Sequence, residues 1–226
     1  LSGVWDLVFE PPSVRRVIGL SDAVPEDAPR DFGYRSMAVC DAGDGVSRLY
    51  AGTFGLPGHI LHFDGSTFRK TSDRGLFNRL RDLAGQSFDL GYRALACYRG
   101  RLWTSPIGFP GDVDTSLHPV VLMNPDPAGG APWKTLVDLS DPASHPLADP
   151  DNIGIFQAET VGDYIYFAVH NRVTGLELWR GDGRHCPLPW KSELPCRMIW
   201  TKIIDNGAGR PPDSVGDPVD NAGATL

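Results

Sequence analysis

The chain has 226 residues, 21 Lys and Arg against 28 Asp and Glu, a formal net charge of −7 and 41% hydrophobic residues. That length can bury a sizeable core, no apolar run approaches the roughly 18–20 residues of a membrane span, and the acidic balance argues against a nucleic-acid binder, which needs a cationic surface to displace counterions. Its 26 Gly and 20 Pro are spread along the whole chain; helices tolerate neither well, so many short strands joined by turns are expected.

In chain order, residues 1–32 open at Leu1 with no initiator Met and no basic-then-apolar leader, so the chain is expected to be a processed product or a piece of a longer one. Within them, Val4-Trp5-Asp6-Leu7-Val8-Phe9-Glu10-Pro11 has the pattern of a later strand, Trp133-Lys134-Thr135-Leu136-Val137. From residue 33 a pattern starts that returns. Gly33-Tyr34-Arg35-Ser36-Met37-Ala38-Val39 recurs as Gly91-Tyr92-Arg93-Ala94-Leu95-Ala96-Cys97, and more weakly as Ile153-Gly154-Ile155-Phe156-Gln157-Ala158-Glu159. Each copy leads through a short turn to a second strand (48–53, 101–105, 164–169) and through a loop to a third (59–63, 120–123, 176–179). A tight turn then gives a fourth strand (67–70, 133–137, 198–203). Apolar runs bounded by Gly, Pro and Asp are strand signals, and Asp64-Gly65 between two of them is a hairpin signal.

Four antiparallel strands repeated roughly every 60 residues are the grammar of a β-propeller blade. One such sheet leaves both faces wet; stacking blades around an axis buries them. The expected fold is therefore all-β, an incomplete β-propeller with blades at 33–73, 91–140 and 141–204. The connector 74–90 contains Leu76, Phe77, Leu80 and Leu83 at the spacing of a short helix. Residues 205–226 read as a loop towards a missing blade. Residues 4–9 read as an orphan outer strand whose three partners lie outside this chain. Three blades fall short of the four to eight of closed propellers, so the expected partner is a second chain, or the remainder of the same polypeptide, completing the ring.

The stretch Thr174-Gly175-Leu176-Glu177-Leu178-Trp179-Arg180-Gly181-Asp182-Gly183 resembles the ELW-x-x-DG repeat of bacterial exported propellers, and the repeated aromatic and glycine positions resemble kelch-like repeats. The resemblance covers about three-quarters of the chain and implies a secreted or periplasmic location. It does not imply an activity, since propellers host hydrolases, oxidases, lyases, sensors and interaction platforms.

The four cysteines lack C-x-x-C spacing, so a zinc or thioredoxin-like site is not expected. Cys186 and Cys196 bracket a Pro-rich loop that suits a disulfide in an oxidising compartment. Cys40 and Cys97 sit in apolar runs and read as two buried thiols. Trp133, Trp179 and Trp200 fall at outer-strand positions, which suggests inter-blade packing, with a carbohydrate-stacking platform as the lesser reading.

Motif searches find no nucleophile elbow, phosphate-binding loop, zinc helix or EF-hand loop. Asp112, Asp114, Asp149 and Asp151 lie in loops, where Asp serves turn geometry, and too few oxygens converge for calcium. In propellers as a class, the loop after the second strand shares a face with the loop entering the first. That places Arg35, Arg93, Asp112, Asp114, His118, His170 and Asn171 on one face around the channel. Arg35 and Arg93, being repeat-equivalent, either pair with a carboxylate of the next blade or bind an anionic ligand. His118 and His170 are loop histidines or ligands to a substrate or metal; no resident metal is expected, and no cofactor can be assigned. The function expected is a non-catalytic binding or assembly module within a larger propeller. The alternative is part of a propeller enzyme, a hydrolase or oxidoreductase, with its site at the channel mouth.

Overall fold

The structure is a computed structural model, and it describes residues 4–9, 12–18, 31–41, 45–55, 58–63, 68–71, 80–81, 87–88, 91–106, 120–138, 145–171, 173–186 and 198–205. Among the described residues, sixteen strands fall into three four-stranded and two two-stranded antiparallel sheets. The first blade runs β3 (Asp31–Asp41), β4 (Ser47–Gly55), β5 (Ile60–Phe63) and β6 (Phe68–Lys70). The second runs β9 (Tyr92–Cys97), β10 (Leu102–Pro106), β11 (Val120–Asn124) and β12 (Lys134–Asp138). The third runs β13 (Asn152–Val161), β14 (Tyr164–Asn171), β15 (Gly175–Asp182) and β16 (Ile199–Ile204). Within each blade the strands pair in simple sequence order. All twelve expected blade strands are present within a residue or two at each end, except that β15 runs three residues past its expected end.

Contacts between blades concentrate on the first strands. β9 lies between β3 and β13, whereas the outer strands β6, β12 and β16 are spread apart. First strands converging while fourth strands diverge is the geometry of blades around an axis. The chain is an incomplete propeller of three blades.

Burial follows from the stacking. In the middle blade β10 and β11 are buried at every position, because a neighbour covers each face. At the outer edge of the last blade β16 alternates exposed and half-buried. The core between the second and third blades gathers Trp103, Val121, Met123, Ile165, Phe167 and Trp179, with Trp200 against it. Trp133 packs on the smaller core between the first and second. The three tryptophans therefore do pack between blades.

Polar ties complete the seams. The buried Tyr98 hydroxyl donates to the Asp163 carbonyl at 2.9 Å and accepts from Gly183 N–H at 2.8 Å. It sits at a two-residue turn in which Arg99 and Gly100 both take positive φ (52° and 67°), as a type I′ hairpin requires. Glu177, fully buried, accepts from Trp179 Nε1 (2.8 Å), Lys202 Nζ (2.7 Å) and the Thr174 hydroxyl (3.1 Å). A carboxylate out of water needs such partners. Gly52 lets β4 approach β9, since a Cβ there would run into the Tyr92 carbonyl and the Ser36 hydroxyl.

Three expectations are corrected. Cys40 and Cys97 are not separate thiols: they form a disulfide, with Cα atoms 5.1 Å apart. Neighbouring inner strands bring their far ends together, a proximity that reading each apolar run by itself cannot reveal. Residues 4–9 do find a partner within the chain: β1 (Val4–Phe9) pairs antiparallel with β2 (Pro12–Ile18), whose Val14, Val17 and Ile18 suit a strand. The expected helix at 74–83 lies mostly outside the described residues, but its described part, Leu80–Arg81, is strand β7, paired with β8 (Ser87–Phe88).

Candidate functional site

Each inner strand of a blade carries a β-bulge at the same place. The pairing of β3 with β4 slips between Tyr34 and Ser36, that of β9 with β10 between Tyr92 and Ala94, and that of β13 with β14 between Ile155 and Gln157. The extra residues are Arg35, Arg93 and Phe156. A bulge leaves one residue unpaired and re-aims its side chain, and bulges gather beside functional sites. Three equivalent bulges on adjacent inner strands thus set three side chains at matching positions along the row.

Their surroundings are aromatic. The Arg35 guanidinium lies 4.7 Å from the Phe54 ring centroid, and that of Arg93 lies 4.3 Å from Phe156. The other neighbour of Phe156 is the His170 imidazole, 5.2 Å between centroids. His170, opposite Gly154 on β14, takes the place that Phe54, opposite Gly33 on β4, holds in the first blade. Gly154 leaves room for the Phe156 ring, which a Cβ there would press at 3.0 Å. The row reads Phe54, Arg35, Arg93, Phe156, His170.

Both guanidiniums are solvent-exposed. Partial burial, and then the charge of Arg35, hold Arg93 below its ordinary value; it stays cationic all the same. Burial likewise lowers His170, which is neutral at pH 7, and its Nδ1 is buried without a hydrogen-bond partner. No carboxylate among the described residues pairs with Arg35 or Arg93. Elsewhere the chain does make such pairs: Arg184 meets Asp182 at 2.8 Å.

The structure therefore brings together three of the seven residues expected at this face, Arg35, Arg93 and His170. Asn171 is fully buried beside them. Its Oδ1 accepts from Val173 and Thr174 N–H and its Nδ2 donates to Asn152, so its amide holds the β14–β15 turn. Asp112, Asp114 and His118 lie outside the described residues, and with them any metal shared by His118 and His170. Among the described residues no three His, Cys, Asp or Glu side chains converge as metal ligands. Cys186 is disulfide-bonded; Cys196, its expected partner, lies outside the described residues. Sequence reasoning missed Phe54 and Phe156. The signal available was Phe156, two residues after Gly154 as Arg35 is two after Gly33.

A second concavity of about 810 Å³ lies at the opposite end of the sheets, between the β3–β4 turn and the β11–β12 turn, lined by Val39, Val46, Arg48, Phe63 and Asp126 among others.

No family model matches the chain, and no curated protein matches it. Among solved structures it is similar to the GH74 xyloglucanase from Xanthomonas campestris, at 17% identity and a TM-score of 0.47, over 83% of this chain and 24% of that one. The chain spans about a quarter of that structure's length.

Proposed function

We propose that this chain is a binding and assembly module of a larger β-propeller, acting outside the cytoplasm and meeting its ligand at the bulged end of the channel. The observation behind it is the threefold bulge. A fold that needed only to pack would gain nothing from aiming two arginines and a phenylalanine at the same end from equivalent positions. The Cys40–Cys97 bridge supports an oxidising compartment, where such bonds persist, and so agrees with the ELW-type resemblance to exported propellers.

Assembly rests on the end blades. Met37 and Val39 of the first blade are 49% and 64% exposed, and Ile199 and Ile203 of the last are 59% and 47% exposed. Propeller blades bury both faces on neighbours, so further blades, in a second chain or in the same polypeptide, are the proposed cover. Sedimentation of the isolated chain tests this. Association beyond 24.6 kDa, abolished by Ile199→Glu with Ile203→Glu, is expected; a stable monomer at high concentration would count against the assembly role.

One observation favours a second reading, part of a propeller enzyme. His170, packed on Phe156, is held below its ordinary value by burial and has an unpartnered ring nitrogen, and a neutral imidazole is the state a general base needs.

A further inference from the structure

The arginine pair is held in an unusual way. Each guanidinium spends its flat face on a phenyl ring, Arg35 on Phe54 at 4.7 Å and Arg93 on Phe156 at 4.3 Å. Cation–π stacking fixes the plane of a guanidinium without using the N–H groups that point outward in that plane. The two forks are therefore oriented and unspent. They are also adjacent enough for the charge of Arg35 to act on Arg93. Like charges side by side repel, and the usual remedy is a carboxylate. This chain has 28 Asp and Glu, and none among the described residues is placed there. Arg184, by contrast, is neutralised by Asp182.

We propose that Arg35 and Arg93 form a two-guanidinium oxyanion site, which takes a carboxylate, sulfate or phosphate group of a ligand at the channel end, with the Phe156–His170 pair as its side wall. This rests on the reading of that end as a binding surface and names the chemistry it recognises. A group with two or more anionic oxygens accepts from both forks at once and relieves the repulsion between them. The third bulge carries Phe156 instead of a third arginine, so charge is confined to one side. The ligand is then expected to present a single anionic group there and not a run of them.

Calorimetric titration of the chain with sodium sulfate, inorganic phosphate and acetate, at constant ionic strength, tests it. Arg35→Gln and Arg93→Gln are each expected to weaken anion binding about tenfold or more, the worth of a charge-assisted hydrogen bond. Arg184→Gln, which removes a cation elsewhere on the surface, should leave it unchanged. Arg93→Lys, keeping the charge without the planar fork, should fall between. Preference for sulfate or phosphate identifies a tetrahedral group, and preference for acetate a carboxylate. Near-ultraviolet circular dichroism checks that the variants fold; both side chains are exposed, so it should be unchanged. Equal binding by wild type and the double variant Arg35→Gln/Arg93→Gln would overturn the site, as would equal losses in Arg184→Gln. Sedimentation decides the assembly role separately, so the two failures are distinguishable.

Discussion

His170 shows how a single side chain is given a state by its surroundings. It is packed on Phe156, and burial disfavours the charged imidazolium, so its folded value lies below the ordinary 6.5. Above pH 6.5 both folded and unfolded chains hold it neutral, and it contributes no pH dependence. Below 6.5 the unfolded chain takes up the proton first, so stability is lost as the pH falls from 6.5 through the folded value. Chemical denaturation between pH 7 and 5 should show the wild type losing stability faster than His170→Gln. Parallel slopes would mean that His170 titrates as an ordinary surface histidine. The arginines illustrate the converse. Their charge is never in question, but their direction is, and the bulge sets it.

At the level of strands, the inner trio is what makes the blades one body. β9 touches both β3 and β13, and its ends are tied on each side. Cys97 is bridged to Cys40 of the first blade, and its carbonyl accepts from the Thr160 hydroxyl of the third at 2.7 Å. The bridge spans 57 positions and so removes a long loop's worth of freedom from the unfolded chain. Replacing both cysteines by alanine should lower stability by about 2–4 kcal/mol, read from urea denaturation under non-reducing conditions. A reductant should lower wild-type stability by more than that of the double variant, which keeps the Cys186 bridge. If the double variant unfolds at the wild-type midpoint, the seam between the first two blades is held by packing alone. On the other seam Glu177 and Trp179, two apart on β15, share a hydrogen bond, with Trp179 in the core against the second blade. Their shared strand face is legible in the sequence; that Lys202 of the neighbouring strand completes the buried pair is not.

On the scale of the molecule, the two ends of the stack differ from its middle. Strands β10 and β11 of the middle blade are buried throughout, whereas exposed apolar side chains sit on the first and last blades. Met37→Lys with Val39→Lys should therefore lower the fluorescence of Nile red bound to the isolated chain by a factor of about two. That is the share expected if each end contributes one apolar patch. A neutral dye is needed, because an anionic one would also report on the arginine pair. Unchanged fluorescence would locate the apolar surface elsewhere.

The sequence by itself determined the repeat. Apolar runs bounded by Gly, Pro and Asp, with Gly-Tyr-Arg returning at the head of two of them, were enough to place twelve strands in three blades, because strand and turn propensities are local. It also marked Arg35 and Arg93 as equivalent, since repeat position carries over from blade to blade, and the two do stand at matching bulges. Tertiary structure alone decided what lies beside what. The Cys40–Cys97 bridge, the β1–β2 pairing and the Phe54 and Phe156 supports depend on register and on neighbouring blades. A bulge adds one residue to one strand of a pair, and that mismatch has no existence until the partner strand is in place.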